Sequence, residues 1–207
     1  MDKLFKGVLE FQQEDFEVQR ELFSKLGRRQ KPHTLFIGCS ASRIVPTLIT
    51  KTDPGELFLV RNIANIVPPF ESSAQDRSTA AAIEYAVQAL DVDTIVVCGH
   101  SNCGGCAALN TDPKDLEHLP FSRQWLELSQ EVPNRVERLL RSDSPAEREW
   151  LTEQINILVQ MRNLLTYPYI KEKVAAETLS ILGWYYIIET GDVLNFNDNT
   201  GHFVRVT

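Results

Sequence analysis

The sequence predicts an α/β fold in which a central, mostly parallel β-sheet is flanked by helices. Three short segments are continuously apolar, as is typical of strands covered on both faces: Thr34–Cys39, Glu56–Arg61 and Thr94–Gly99. An Ala-rich segment with helical spacing, Ser78–Leu90, separates the last two. Because a strand–helix–strand order requires a crossover, it favours parallel pairing of the strands.

Helical patterns precede and follow these strands. Apolar residues recur near helical spacing over residues 4–27, and Gly27 is a suitable end for that helix. A longer helical block covers residues 121–176. Within it, Ser144-Pro145-Ala146-Glu147 has the pattern of a capping box with proline at the first helical position. The acidic residues of this region, 142–153, are predicted to form a solvated helix face.

The segment from Thr178 onward is predicted to form strands joined by turns. Thr190-Gly191-Asp192 and Asp198-Asn199-Thr200-Gly201 carry the turn residues. No repeat or linker interrupts the pattern, so residues 1–207 are interpreted as a single domain.

The composition excludes several classes of partner. The formal net charge of −7 argues against general binding to nucleic acid, which requires a basic face. No segment approaches the roughly 20 apolar residues of a membrane span, and the N-terminal residues lack a signal-peptide core. The four cysteines are too few, for a chain of this length, to form a secreted disulfide framework. We therefore expect a cytoplasmic protein with no membrane partner.

Cysteine and histidine follow two of the predicted strands. Cys39 ends the first strand, and the segment Cys98–Cys106 (CGHSNCGGC) ends the third. Ligands collect outside the carboxyl ends of parallel strands. Two thiolates and one imidazole there, Cys39, His100 and Cys103, suit a zinc site with an open fourth position. The residues alone leave alternatives, since a free cysteine is commonly a small core residue and Cys103–Cys106 has the CxxC spacing of redox pairs.

Six segments resemble the β-class carbonic anhydrase family, among them DPGELF, residues 53–58, before the second strand. GCSASR, residues 38–43, is similar to its Cys-x-Asp-x-Arg motif, and GHSNCGG, residues 99–105, to its His-x-x-Cys motif. RNIANIVPPF, AAIEYAVQAL and LGWYY are also similar to family segments, in the same order. The resemblance covers nearly the whole chain.

The resemblance implies a fold, a cofactor and an activity. Zn²⁺ would be held by Cys39, His100 and Cys103, and the substrate would be CO2 or bicarbonate. Residues 1–30 would form a helical dimerisation arm that reaches a second copy, in a dimer or a dimer of dimers. Apolar walls for CO2 are assigned, from their place in the chain, to Ile63, Val67 and Phe70.

One motif residue departs from the family. Arg43 matches the motif arginine, but Ala41 stands where the family has aspartate. That aspartate accepts a hydrogen bond at the open zinc position and pairs with the arginine. We therefore expect impaired CO2 hydration. Two alternatives remain: an inactive zinc-binding scaffold or bicarbonate-binding subunit, and a hydrolase of carbonyl sulfide or carbon disulfide.

Overall fold

The structure, a computed structural model, describes residues 2–72, 77–142 and 144–207. Its centre is a six-stranded sheet with the order β2-β1-β3-β4-β5-β6. The first four strands along the chain pair in parallel, and the last two pair antiparallel. The predicted mostly parallel sheet is therefore confirmed. The strands are β1 (Thr34–Cys39), β2 (Leu57–Asn62), β3 (Thr94–His100), β4 (Ser180–Tyr186), β5 (Val193–Asn197) and β6 (His202–Arg205).

The two central strands are buried along nearly their whole length. All six residues of β1 are buried, as are the last six of β3. Their register pairs Gly38 with Cys98, so both strands end at the same edge of the sheet. That edge receives Cys39 and His100, because each is the last residue of its strand.

Ten α-helices surround the sheet in the described residues. Two of them continue into a π-helical turn, Phe11–Asp15 and Tyr85–Ala89. The α-helices are α1 (Lys3–Glu10), α2 (Phe16–Val18), α3 (Arg20–Leu26), α4 (Pro46–Thr50), α5 (Arg77–Glu84), α6 (Gly104–Ala108), α7 (Pro120–Glu127), α8 (Glu131–Leu139), α9 (Pro145–Leu164) and α10 (Pro168–Ala175). Short 3-10 turns lie at Ile63–Asn65, Phe70–Ser72 and Pro113–Leu116. None of the described helices is both long enough and apolar enough to cross a bilayer.

The N-terminal helical segment is confirmed but is not one regular helix. It runs from Lys3 to Leu26 through α1, the first π-helical turn, α2 and α3, with a break at Gln19. Large apolar side chains of α1 lie in solvent in the single chain; Leu4 is 79% exposed and Phe5 62%. An exposed apolar helix face of this kind commonly marks an interaction surface.

Helix α9 lies directly against the sheet. A Cβ atom at Gly99 would lie 2.8 Å from Ile157 Cδ1, and one at Gly183 would lie 2.4 Å from Met161 Sδ. Glycine at these two strand positions therefore allows the close approach of α9. The helix begins as the sequence predicts, because the Ser144 side chain accepts a hydrogen bond from the Glu147 backbone N–H.

Candidate metal centre

The three predicted ligand residues converge at the carboxyl edge of the parallel strands. Cys39 ends β1, His100 ends β3, and Cys103 is the residue before α6. Their candidate ligand atoms all lie within 4.8 Å of one another. All three residues are buried, with at most 5% of their surface exposed. The fold therefore brings together residues that are 64 positions apart in the chain.

The distances fit a tetrahedral metal ion. Cys39 Sγ and Cys103 Sγ lie 3.9 Å apart. Metal–sulfur bonds of about 2.3 Å at the tetrahedral angle place two sulfurs about 3.8 Å apart. His100 Nδ1 lies 2.9 Å from the Ser101 carbonyl, so it carries the proton and donates it there. His100 Nε2 is then a free lone pair, and it is buried with no hydrogen-bond partner among the described residues. A bound ion would satisfy this nitrogen.

Electrostatics in the cluster favour a cation. The Cys103 pKa is lowered far below its usual value, because the thiols of Cys106 and Cys39 donate hydrogen bonds to its sulfur. The Cys39 pKa is raised by the same contact with Cys103 and by burial. One thiolate is thus stabilised already, and the second needs a positive charge beside it. A divalent ion would supply that charge.

Glu153 of α9 holds the backbone of Cys103 by a hydrogen bond. Its Oε1 accepts the Cys103 backbone N–H at 2.8 Å, and its Oε2 accepts the Tyr185 hydroxyl at 2.6 Å. Burial raises the Glu153 pKa to about 7. The predicted solvated face of residues 142–153 is therefore wrong at Glu153, which is only 2% exposed. Helical spacing from the buried Ile157, four residues later, was the available signal.

The loop that begins with Ala41 is held by arginines rather than by a carboxylate. Arg61 donates to the carbonyls of Cys39 and Ala41, at 3.1 and 2.7 Å. Arg43 Nη2 donates to the Asn102 carbonyl at 2.9 Å. The methyl group of Ala41 is partly buried against the apolar cluster that contains Cys39 and Cys103. Residue 41 therefore offers the site no hydrogen-bonding atom in its side chain, and the role of Arg61 was missed from the sequence.

The three residues predicted to form apolar walls have different surroundings in the single chain. Ile63 lines a groove of about 530 Å³ beside Ser40 and Trp125. Phe70 lines a separate groove of about 230 Å³, and Val67 is fully buried. Their role in holding CO2 stays a prediction.

Buried amides of α9 fix the loop that carries these residues. Gln160 accepts the Val67 backbone N–H at 2.9 Å, and Asn163 donates to the Val67 carbonyl at 2.9 Å. Asn156 donates to the Ala64 carbonyl at 2.8 Å. This support could not be predicted from the sequence, because it joins segments more than 90 residues apart.

The other cysteines and histidines lie outside the ligand set. Cys98 is buried in β3, and burial raises its pKa to about 12. Cys106 is buried in α6, and hydrogen bonding to Cys103 raises its pKa. None of the four cysteines forms a disulfide. The remaining histidines are exposed: His33, His118 and His202.

The known proteins compared below, which have similar sequences or folds, are carbonic anhydrases. The sequence profile described as carbonic anhydrase matches residues 34–193. The carbonic anhydrase of Helicobacter pylori strain J99 is 41% identical over 202 residues, which cover 96% of this chain and 91% of that relative.

Two solved structures extend this similarity to the fold. The β-carbonic anhydrase CcaA matches with a TM-score of 0.94 and 37% identity, over 99% of this chain and 91% of that one. One of two tetrameric β-carbonic anhydrases from Sordaria macrospora matches with a TM-score of 0.82 and 33% identity, over 95% and 98%.

Proposed function

The chain belongs to the β-class carbonic anhydrase family, a family of lyases, and we propose that it catalyses the reversible hydration of carbon dioxide with a zinc ion held by Cys39, His100 and Cys103. The observation that carries the metal assignment is the buried His100 Nε2, which has no hydrogen-bond partner in the part of the chain that the structure describes and lies beside two sulfurs 3.9 Å apart. Two sulfurs and one imidazole are ligands that zinc prefers, and three protein ligands keep the fourth position open.

The chain's own groups define how this site works. A zinc ion held by these residues would supply hydroxide for attack on CO2 near neutral pH, because zinc lowers the pKa of bound water from 15.7 to about 7. The thiolates of Cys39 and Cys103 together balance the charge of a divalent ion. The Ser101 carbonyl holds the His100 ring in the tautomer that presents Nε2. Arg43, which lies next to this loop, provides a positive charge for the bicarbonate product.

We expect the alanine at residue 41 to make CO2 hydration slower than a carboxylate there would. Hydration converts CO2 and one water molecule into bicarbonate and one proton. That proton must leave the water and reach the solvent in each cycle. A carboxylate at residue 41 would orient that water and accept its hydrogen bond, whereas a methyl group does neither. Loss of an outer partner of this kind typically costs about 10- to 100-fold in activity or metal affinity.

A stopped-flow assay of CO2 hydration, paired with zinc analysis, tests the proposal. His100→Ala is expected to lose both zinc and activity. His118→Ala is the matched control, because His118 is exposed and lies outside the ligand set, and it is expected to keep both. Zinc-loaded protein with no hydration activity would instead favour the scaffold alternative.

We also propose that the chain is a single domain that works as a homodimer, or a dimer of dimers, with residues 1–30 as the dimerisation arm. The exposed apolar side chains of α1, including Leu4 and Phe5, support this. The Sordaria macrospora relative is described as tetrameric. In an assembly of this kind, the arm would cover apolar surface of a second copy.

A further inference from the structure

A carboxylate outside the ligand set bridges the two residues that separate His100 from Cys103. Glu189 lies in the turn between β4 and β5. Its Oε2 accepts the Ser101 hydroxyl at 2.8 Å, and its Oε1 accepts the Asn102 side-chain amide. One exposed side chain therefore binds the whole segment between two ligands.

The same segment is fixed to the end of β4 by its backbone and hydroxyl. Ser101 donates its backbone N–H to the Tyr186 carbonyl at 2.9 Å. Its hydroxyl accepts the Ile188 backbone N–H at 2.9 Å while donating to Glu189. Asn102 has a left-handed backbone with φ of 57°, a conformation that needs support from its surroundings.

Arg43 depends on this segment for its position. Its Nη2 donates to the Asn102 carbonyl, and residue 41 supplies no carboxylate. Glu189 is the negative charge on this side of the loop: its pKa is lowered, chiefly by the Ser101 hydrogen bond and in part by the charge of Arg43. Asn102 therefore connects the Glu189 carboxylate to Arg43, the arginine of the motif.

We propose that Glu189 is a positioning residue, which holds the Ser101–Asn102 segment and, through it, Arg43 beside the metal ligands. From the β4–β5 turn, Glu189 provides Arg43 with the negative charge that the alanine at residue 41 does not supply. The proposal deepens the proposed function: the zinc-release measurement rests on the proposed zinc site, and only the activity measurement rests on the proposed hydration of CO2. Its effect on zinc retention can be measured without catalysis.

The first experiment measures the rate of zinc release from the holoprotein to an excess of chelator. Glu189→Ala removes the hydrogen bonds from both Ser101 and Asn102. It is expected to release zinc at least about fivefold faster, since losing a single hydrogen bond of average strength already corresponds to about that factor. Glu189→Gln, which keeps an acceptor oxygen, is expected to lie between Glu189→Ala and the unmodified protein. Asp198→Ala is the matched control, since it removes an exposed carboxylate from the neighbouring turn, and it is expected to change nothing.

A double-mutant cycle tests whether Glu189 acts through Asn102. Asn102→Gly removes the side-chain amide but suits the positive φ and keeps the carbonyl that Arg43 binds. If both residues act through one hydrogen bond, the double variant releases zinc no faster than the quicker single variant. Fully additive effects, or a Glu189→Ala rate equal to that of Asp198→Ala, would overturn the proposal.

The activity measurement tests the link to Arg43. Glu189→Ala is expected to slow CO2 hydration severalfold in the unmodified background, and less in Ala41→Asp, where Arg43 has a new partner. Equal effects in both backgrounds would overturn that link. If no variant hydrates CO2, the proposed function fails, while the zinc-release rates still decide the role of Glu189.

Discussion

Replacing Ala41 with aspartate restores the one polar group that the metal site lacks. The Arg61 and Ile44 contacts hold the backbone carbonyl of residue 41, so its side chain can change without displacing the loop. The three ligand residues depend on other contacts, including Ser101 for His100 and Glu153 for Cys103. We therefore expect Ala41→Asp to bind zinc as the unmodified protein does.

The expected gain in rate follows from one charge-assisted hydrogen bond. Such a bond contributes about 1.5–3 kcal/mol, and about 1.4 kcal/mol corresponds to a factor of ten in rate. Residue 41 is only partly buried, so the lower edge applies. Ala41→Asp should raise the CO2 hydration rate at least about tenfold, in line with other outer-ligand effects. The gain should be largest in mildly alkaline buffer, where hydroxide is available.

Stopped-flow CO2 hydration, with zinc content measured on the same samples, checks this expectation. Ala41→Asn is the matched control: it has nearly the same shape and one acceptor oxygen but no charge to pair with Arg43, so its gain should be smaller. Two outcomes would refute the reasoning. One is an unmodified protein that already equals its Helicobacter pylori relative in the same assay. The other is a zinc-loaded Ala41→Asp with no gain over Ala41→Asn.

Three further predictions concern the metal, the arm and the second CxxC cysteine. Protein purified without added metal should contain about one zinc per chain by elemental analysis, as expected for one three-ligand site; a folded, metal-free preparation would contradict the site. Deleting residues 1–27 should cause aggregation or dissociation in light-scattering chromatography, because it removes apolar surface that includes Leu4 and Phe5; a soluble, folded monomer would be evidence against the arm. Cys106→Ser should keep its zinc, because Cys106 is outside the ligand cluster; lost zinc would assign Cys106 to the site.

The strands and the convergence of Cys39, His100 and Cys103 at one edge of the sheet could be predicted from the sequence, because both depend on local patterns. Thr34–Cys39 is observed with the predicted bounds, the second strand is shifted by one residue at both ends, and the third extends one residue further, to His100. Buried parallel strands leave a continuous apolar signature, and their carboxyl ends must meet at one edge. Residues after such strands are therefore neighbours in the fold even when the chain separates them widely.

Irregular local structure was harder to predict. The spacing over residues 4–27 predicts one helix, and the observed helix contains a π-helical turn and a break at Gln19. The short helices Pro46–Thr50 and Gly104–Ala108 carry too few residues for a periodic pattern. The spacing of apolar residues shows which face of a helix is apolar. It does not reveal a single inserted residue, such as the one that a π-helical turn accommodates.

The support of the metal site depends on polar side chains at positions where a helix pattern predicts either solvent or apolar core. Glu153, Asn156, Gln160 and Asn163 recur at spacings of three or four residues, so they share one buried face of α9. An unpaired polar group costs free energy when buried, and a sequence alone does not reveal its partner. Here the partners are backbone groups of Cys103, Ala64 and Val67, each in another part of the chain. Because hydrogen bonds satisfy these four residues, α9 can fix both the third ligand and the loop after β2 from one rigid element. A single Glu153→Gln substitution is therefore expected to weaken zinc retention more than a change at exposed Glu149, although neither residue binds the ion.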